Sequence, residues 1–292
     1  MIKTIAEEMR ESDIMNIHCC SYTFPMIKSN AKKFYFLHDV LLATAEKGSH
    51  LDKSLGGDFD AVIAPSEFAK NVYDENRRLL GGNIECQVIP RHINSELFYQ
   101  MNIEEIMNDK NTPQVINEII SKYEYIFFFP SRPIEEKGGG YLLDLCKELD
   151  KSISNYCIIG PMGDNNTLPS KCIDTGWINS KDLKYYYSIS NATFNFSSLP
   201  ESFSQICIES TYCGTPVVSF KSGNIPYLSK KINTIILVNK DSQSILEGIK
   251  EAIHIKKDVN NTELVKKTIQ TEFGVNKVIN EYLSLYKKYM ED

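Results

Sequence analysis

Short runs of hydrophobic residues alternate with segments of helical periodicity along most of the chain. Short apolar runs lie within the segments 34–39, 59–64, 125–129 and 156–160, and polar or amphipathic sequence separates them. Runs this short are typical of parallel strands, which are buried on both faces. Strands that alternate with helices predict an α/β fold built on parallel sheets.

The composition is that of a globular protein and excludes several functional classes. Of the 292 residues, 42% are hydrophobic and 24% are charged, and the net charge of −6 gives no basic field for nucleic acid. No apolar run approaches a membrane span and no signal-like core follows Met1, so we expect a cytoplasmic protein. None of the eight cysteines forms a C-x-x-C pair, so neither a zinc site nor a disulfide framework is expected.

The stretch 199–216 carries the most specific chemistry. Glu201 and Glu209 stand eight positions apart, across a turn and the first two turns of a predicted helix that ends at Gly214. Glu209 shares its helix face with apolar residues, so it is either an edge residue that reaches water or a buried carboxylate with a partner. Glu201 precedes the helix, where a carboxylate also suits the positive end of the helix dipole.

This stretch reads E-S-F-S-Q-I-C-I-E-S-T-Y-C-G-T-P-V-V from residue 201. It resembles the E-x7-E signature of family-4 retaining glycosyltransferases (glycosyl transferases group 1), written E-G-F-G-x4-E-A-x3-G-x-P-V-V. Ser202 and Ser204 replace the two glycines of that signature. The segment S-R-P-I-E-E-K-G at 131–138 is similar to the family's G-R-x4-K-G.

The first hundred residues resemble the second half of the family's acceptor-side domain. D-I-M-N-I-H at 13–18 is similar to D-x-x-H-x-H, with Asn16 in place of the first histidine. V-I-P-R-H at 88–92 is similar to V-I-P-N-G, with Arg91 and His92 as replacements. The family has further βα units and a glycine-rich loop ahead of this point. We therefore expect a shortened first domain, which is a natural minimal version, a remnant, or a part completed by another chain.

The resemblance implies the GT-B fold, with two Rossmann-like α/β domains on parallel sheets, of which the N-terminal one is truncated. The implied limits are 1–112 for the partial acceptor-side domain, 113–270 for the nucleotide-sugar donor-binding domain, and 271–292 for a C-terminal helix that crosses back to the first domain. The implied activity is transfer of a hexose from a UDP- or GDP-linked donor, with retention and without a metal or cofactor, as in polysaccharide biosynthesis.

The resemblance also implies roles for individual residues. Glu201 and His18 would act in catalysis by holding and positioning the transferred sugar, and no covalent nucleophile is expected. Arg132 and Lys137 would neutralise the departing diphosphate, and Glu209 would accept hydrogen bonds from the ribose hydroxyls. The remaining donor-binding residues are Ser204, Gln205 and Ile206, through their main chain near the sugar and phosphates, and Trp177 and Ile178, near the base.

Three alternatives remain open for single residues. Packing against the sheet is the alternative for Trp177, the only tryptophan. A structural role at a strand end is the alternative for His18, and His38 is the second candidate for its sugar contact. The residues from Asp58 to Asp60 form a D-x-D pattern, which holds divalent cations in other glycosyltransferases, but no metal site is expected here.

Two functions from different classes compete. The first is the transferase. The second is a catalytically incomplete nucleotide-sugar-binding subunit or partner protein that needs a companion chain. The shortened first domain, Asn16 and the two serines of the signature favour the second. The convergent charges of Arg132, Lys137, Glu201 and Glu209 favour the first. An epimerase of the same fold is a third reading, but its motifs are not evident.

The expected partners follow from these readings. They are a nucleotide-sugar donor and a glycan or lipid-linked acceptor, and a lipid-linked acceptor is compatible with peripheral contact with a membrane. Because an incomplete sheet exposes an edge or a face, we also expect a homo-oligomer or a companion subunit. Nucleic acid is not an expected partner.

Overall fold

The apolar runs of the sequence form two separate parallel sheets in the computed structural model. The structure describes residues 13–18, 30–38, 59–80, 84–163, 169–256 and 258–291. Contacts between residues divide this part of the chain into two units. Unit 1 comprises the described residues up to His92, with Glu201–Phe203 and the residues from Asn276 onwards. Unit 2 comprises the described residues of Ile93–Pro200 and Ser204–Val275. The domain limits that the resemblance implies remain a prediction.

Unit 1 contains a sheet of four parallel strands in the order β1-β2-β3-β4. Because this order follows the chain, consecutive strands are neighbours in the sheet. The elements up to His92 are β1 (Ile14–Ile17), β2 (Lys32–Phe36), β3 (Ala61–Ala64), α1 (Glu67–Leu80) and β4 (Cys86–Val88). The strands predicted within 34–39 and 59–64 are thereby confirmed, and β2 begins two residues earlier than expected.

Alternate side chains of β2 pack on opposite faces of this sheet, as the two-residue period of a strand requires. Phe34 and Phe36 belong to one buried cluster, which also contains Leu285 from the C-terminal part of the chain. Tyr35 belongs to a second cluster, together with Tyr73 of α1. The sheet is therefore covered on both faces, which explains why its strands read as continuous apolar runs.

Unit 2 contains a sheet of six parallel strands in the order β10-β9-β8-β5-β6-β7. This fold explains the alternation of apolar runs and helical segments after residue 101. Its elements are α2 (Ile103–Asn108), α3 (Gln114–Lys122), β5 (Tyr125–Phe128), α4 (Gly140–Leu149), β6 (Tyr156–Gly160), β7 (Cys172–Asp174), α5 (Leu183–Ile189), β8 (Ala192–Asn195), α6 (Gln205–Tyr212), β9 (Val217–Phe220), α7 (Ile225–Lys231), β10 (Ile235–Val238), α8 (Ser242–Ile255) and α9 (Val259–Phe273).

A row of phenylalanines crosses one face of the six-stranded sheet. The ring centroids of Phe127 and Phe194 are 5.5 Å apart, those of Phe194 and Phe196 are 5.0 Å apart, and those of Phe196 and Phe220 are 5.0 Å apart. All four side chains are buried in one cluster with apolar residues of α4 and α8. Aromatic pairs at these distances add to the stability that burial alone provides.

The opposite face of this sheet packs against α5. The ring of Phe128 lies 5.6 Å from that of Tyr186 and 5.2 Å from that of Tyr187, measured between centroids. Both tyrosines are buried. The sheet of unit 2 is thus covered on both faces.

The C-terminal helix differs from the sequence expectation at its start. This helix, α10 (Val275–Met290), begins four residues after the expected position 271, because α9 continues to Phe273. A Cβ on Gly274 would come within 2.3 Å of the carbonyl oxygen of Gln270, so glycine permits the break between the helices. The short strand β7 was also not predicted, since its residues are only half-buried or exposed. Within the described part of the chain, no helix has the length and apolarity needed to cross a bilayer.

Candidate functional site

The loops that follow β5 and β8 lie side by side at the carboxyl edge of the unit 2 sheet. The chain leaves β5 towards β6 on one side and β8 towards β9 on the other, so the strand order reverses between them. Open α/β sheets bind ligands at this kind of switch point. Two hydrogen bonds join these loops. The backbone N–H and the hydroxyl of Ser198 both donate to the carbonyl of Glu136, at 2.9 and 3.1 Å.

Two glycines shape the loop that follows β5. Gly138 has a φ of 85°, and a Cβ added there would lie 2.4 Å from both the carbonyl oxygen and the Cβ of Phe196. A Cβ on Gly139 would lie 2.1 Å from the carbonyl oxygen of Pro133. Only glycine fits such close approaches of backbone to backbone. The turn therefore places the residues on either side of it in one defined arrangement.

Arg132 and Lys137 belong to this loop. Arg132 is exposed and Lys137 is half-buried at the end of a single 3₁₀ turn, Glu135–Lys137. In the residues that the structure describes, the guanidinium of Arg132 has no hydrogen bond or ion pair. The helix α4 begins at Gly140 without a side-chain cap, and the backbone N–H groups of Tyr141 and Leu142 donate to the carbonyls of Gly138 and Gly139, at 3.1 and 3.2 Å. This loop is suited to an anionic ligand.

Glu209 is a buried carboxylate with partners. The residue is 9% exposed, and the hydroxyl of Tyr187 donates to its Oε2 at 3.1 Å. Burial raises the pKa of the Glu209 carboxyl to about 7, and hydrogen bonds from Tyr187 and Gln205 offset part of this effect. The alternative that Glu209 is an edge residue reaching water is therefore wrong.

The N-terminus of α6 begins with an unusual backbone conformation. Ser204 has a φ of 72°, and it is the one non-glycine residue with a positive φ among those described. The family signature has glycine at this position. The side-chain amide of Asn195 donates to the Ser204 hydroxyl at 3.0 Å, and Ser204 makes no side-chain cap. The first N–H groups of the helix, at Gln205 and Ile206, thus have no acceptor from the capping side chain.

Trp177 stands on an exposed loop. Its side chain is 81% exposed, so the alternative that it packs against the sheet is wrong. The neighbouring Ile178 is half-buried. The turn before them is held by Asp174, whose Oδ1 accepts from the backbone N–H groups of Gly163 and Gly176, each at 3.0 Å. The loop follows β7, which lies two strands away from β5 in the sheet order.

The carboxyl edge of the unit 1 sheet carries a group of three polar side chains. Nδ1 of His18, directly after β1, lies 3.0 Å from Nε2 of His38, which follows β2. Nδ1 of His38 lies 2.6 Å from Nη2 of Arg91, which follows β4. The His18 ring stacks on Phe36 with centroids 4.2 Å apart. Burial, and then the charge of Arg91, lower the pKa of both histidines.

Glu201 belongs to unit 1 by its contacts. It is half-buried and opens the segment Glu201–Phe203, whose last residue is buried. The hydroxyl of Ser202 donates to the carbonyl of His38 at 2.8 Å, and the hydroxyl of Ser66 donates to the carbonyl of Ser202 at 2.5 Å. The segment is therefore fixed by hydrogen bonds to the residues that follow β2 and β3.

The D-x-D pattern has a structural role at one of its two carboxylates. Oδ2 of Asp60 accepts from the backbone N–H of Lys33 at 2.7 Å, and Oδ1 lies 3.7 Å from the ammonium of Lys32. These contacts tie the start of β3 to β2. Asp58 lies outside the described residues. Among the residues described, no group of three or more His, Cys, Asp or Glu side chains is arranged to hold a metal ion.

The sequence predicts these residues singly but not every contact between them. His38 is its second candidate for the sugar contact and Arg91 a departure from the family pattern, and the contact between the two is not predicted. A signal was available, because His18, His38 and Arg91 each follow a strand closely. In a parallel sheet the residues that follow the strands come to the same edge.

Comparisons with known proteins identify the family and the fold of the chain. A family model described as glycosyl transferases group 1 matches residues 110–268, which is more than half of the chain. No curated protein sequence is similar enough to be counted as a relative.

Several solved structures share the fold. Sucrose-phosphate synthase from Thermosynechococcus elongatus has a TM-score of 0.74 and 17% identity, over 99% of this chain and 77% of that one. Anabaena HepE in complex with UDP-glucose has a TM-score of 0.75 and 18% identity, over 97% and 81%. A glycosyltransferase from Rickettsia africae has a TM-score of 0.72 and 20% identity, over 99% and 80%.

Proposed function

Because this chain belongs to the glycosyl transferases group 1 and has the GT-B fold, we propose that it transfers a hexose from a UDP- or GDP-linked donor. The acceptor is a glycan, a glycolipid or a related molecule. Transfer proceeds with retention of anomeric configuration and without a metal ion. The observation that carries this proposal is the loop of Arg132 and Lys137, joined to the loop before α6 at the point where the strand order reverses.

The diphosphate of the donor binds at this loop. Arg132 presents an exposed guanidinium with no partner among the described residues, and Lys137 follows in the next turn. The N-termini of α4 and α6 lack side-chain caps and favour negative charge. Negative charge grows on the diphosphate as the bond to the sugar breaks, so positive groups held beside it stabilise the transition state.

Glu209 holds the ribose of the donor. A carboxylate has about four acceptor sites on its two oxygens, so it can accept from a pair of adjacent hydroxyls as well as from two protein groups. Tyr187 and Gln205 already hold the carboxyl in place. The exposed Trp177 and the backbone of Ile178 provide the surface for the base, since a flat aromatic ring is a good partner for a nucleobase.

Glu201 and His18 position the transferred sugar. Glu201 is half-buried and offers carboxylate oxygens to sugar hydroxyls. His18 offers a ring nitrogen. No side chain is assigned as a covalent nucleophile, and retention rests on the E-x7-E signature. UDP-glucose is the first donor to test because it is bound in the structure of HepE, which has the same fold.

A turnover assay tests this function. Purified protein is incubated with UDP- and GDP-hexoses, with and without mixed glycan acceptors, and nucleotide release is followed. Glu201→Gln and Arg132→Met are expected to abolish or strongly reduce release. Arg78→Met, the same change at an exposed position near the end of α1, is the matched control and should keep full activity. Nuclear magnetic resonance of the product should show the donor's anomeric configuration, and a chelator should leave the rate unchanged.

The same assay separates the competing readings. Nucleotide binding without release, equal in the wild type and in Glu201→Gln, would contradict the transferase and indicate a subunit that needs a companion chain. Inversion at the anomeric carbon would overturn retention alone. A changed sugar on an intact nucleotide would indicate an epimerase.

The acceptor side of the proposal includes association. Among the described strands of unit 1, β1 and β4 each have a neighbour on one side only, and an unpaired strand edge is usually covered or blocked. We expect a homo-oligomer or a complex with a companion subunit. Light scattering of the purified protein measures this, and a monodisperse monomer that is fully active would contradict it.

A further inference from the structure

The three side chains at the edge of the unit 1 sheet form a chain of hydrogen bonds with a definite direction. Nη2 of Arg91 lies 2.6 Å from Nδ1 of His38, and Nε2 of His38 lies 3.0 Å from Nδ1 of His18. Both distances are those of hydrogen bonds. Histidine nitrogens donate or accept according to the tautomer. A member that can only donate therefore sets the direction of both hydrogen bonds.

Arg91 is that member. A guanidinium keeps its protons at all pH values a protein meets, and it has no acceptor atom. Nδ1 of His38 must therefore accept the bond from Arg91, so it carries no proton. A neutral imidazole without a proton on Nδ1 carries it on Nε2. His38 is thus a neutral ring that donates from Nε2.

The same reasoning applies one step further. Since Nε2 of His38 donates, Nδ1 of His18 accepts and carries no proton. His18 is then also neutral, with its own proton on Nε2. A second proton on either ring would break one of the two bonds and would place a positive charge near Arg91. Burial and the charge of Arg91 lower the pKa of both histidines, which agrees with two neutral rings.

The surroundings hold both rings in place. The His18 ring stacks on Phe36, with 4.2 Å between centroids. The backbone of His38 accepts a hydrogen bond from the Ser202 hydroxyl at 2.8 Å. Neither ring can rotate without losing these contacts or the bonds to its neighbours.

We propose that Arg91, acting through His38, holds His18 as a neutral hydrogen-bond donor whose Nε2–H binds a hydroxyl oxygen of the sugar. Arg91 and His38 are positioning residues for His18. In this state His18 has no free ring nitrogen that could accept a proton, so it does not serve as a general base. The identity of the ligand rests on the proposed function, whereas the proton positions do not.

The proton positions are tested on the free protein. Protein with ¹⁵N-labelled histidine is examined by nuclear magnetic resonance between pH 6 and pH 8, and the signals of the five histidines are assigned with single His→Gln variants. We expect both His18 and His38 to be neutral, with the proton on Nε2 throughout this range. Imidazolium, or a proton on Nδ1 of either ring, in the wild type would overturn the proposal without any variant.

A pair of matched variants tests the role of Arg91. Arg91→Met removes the donor, and Arg78→Met makes the same change at an exposed helical position. We expect the His18 and His38 signals to become mixtures of tautomers, or to titrate, only in Arg91→Met. A purely structural contact would leave the tautomers unchanged, and identical spectra in Arg91→Met and the wild type would overturn the proposal.

Turnover links the proton positions to the ligand. Arg91→Met is expected to lower the rate of donor turnover about five- to tenfold, the size of one weakened hydrogen bond, with Arg78→Met unchanged. Altered tautomers with an unchanged rate would overturn the role towards the sugar. If no nucleotide sugar is turned over by any variant, the proposed function fails, while the spectra still decide the proton positions.

Discussion

The two sheets of this chain place their polar groups by different means. At the edge of the unit 2 sheet, the loops are fixed by backbone geometry, with a φ of 85° at Gly138, a φ of 72° at Ser204, and hydrogen bonds between main-chain atoms. At the edge of the unit 1 sheet, side chains hold one another, with Arg91, His38 and His18 in a row. Substitutions that change the shape of a residue should therefore disturb the loops of unit 2. A change of protonation should disturb the row of side chains in unit 1.

This difference predicts how each region fails. In unit 2, substitutions that add a Cβ or remove a strained conformation should change the free energy of unfolding. A change of pH should act there through the buried carboxyl of Glu209. In unit 1, removing one donor should leave the fold intact and alter the tautomers.

Gly138→Ala should be strongly destabilising. Its Cβ would lie 2.4 Å from the backbone of Phe196, and its φ is 85°. The left-handed conformation costs an alanine about 1–2 kcal/mol, and the clash adds a cost of about the same size. We expect a loss of about 3 kcal/mol in the free energy of unfolding, measured by urea denaturation.

Gly163→Ala is the matched control for this substitution. Gly163 has a φ of 64° but nothing lies within 4 Å of an added Cβ. Gly163→Ala should lower the free energy of unfolding only by the cost of the left-handed conformation, about 1 kcal/mol. Equal losses for the two variants would show that the close approach to Phe196 does not constrain the loop.

Glu209→Gln should stabilise the protein at alkaline pH. The pKa of the folded Glu209 carboxyl is raised to about 7 from an ordinary value of 4.5. Its contribution to stability is therefore fully present below pH 4.5 and is lost as the pH rises through 7. Between pH 5.5 and pH 8.5 the wild type should lose about 2 kcal/mol through this group, and Glu209→Gln should not.

The measurement is urea unfolding at both pH values. Glu247→Gln, at an exposed position of α8, is the control and should follow the wild type. A wild type and a Glu209→Gln variant with the same pH dependence would contradict the burial of a carboxyl with a raised pKa.

Ser204→Gly should be more stable than Ser204→Ala. Both variants lose the hydroxyl that accepts from Asn195, but only glycine relieves the φ of 72°. The expected difference is about 1 kcal/mol in the free energy of unfolding. Thermal unfolding of the two variants side by side measures it. Equal stabilities would mean that the start of α6 relaxes when the hydroxyl is removed.

The sequence predicted best what depends on local pattern. Strands such as β5 are continuous apolar runs between turn residues, and α6 ends close to Gly214, as its glycine and the following proline predict. β7 was missed because three half-buried or exposed residues carry no apolar run. The break at Gly274 was missed because the apolar periodicity continues across it, from Phe273 to Val278.

Other features could not be read from local sequence. A serine does not indicate a positive φ, so the conformation of Ser204 could not be predicted from this residue. The glycine at this position of the family signature was the available signal. The contact from Arg91 to His38 joins residues 53 positions apart and depends on the order of the strands in the sheet. The pKa of Glu209 depends on burial and on Tyr187, which lies on another helix. Motifs located these residues, but only the fold gives their environment.

The most direct test of the donor site is a nucleotide titration that follows the fluorescence of Trp177. The chain has a single tryptophan, and it is 81% exposed on the loop assigned to the base. Addition of UDP or GDP should change its emission in a saturable manner. Arg132→Met should weaken the apparent affinity about 10- to 100-fold, as expected for the loss of a charge-assisted contact, while Arg78→Met should not. Saturable binding with equal affinity in wild type and Arg132→Met, or no binding of any nucleoside diphosphate at millimolar concentration, would contradict the donor site.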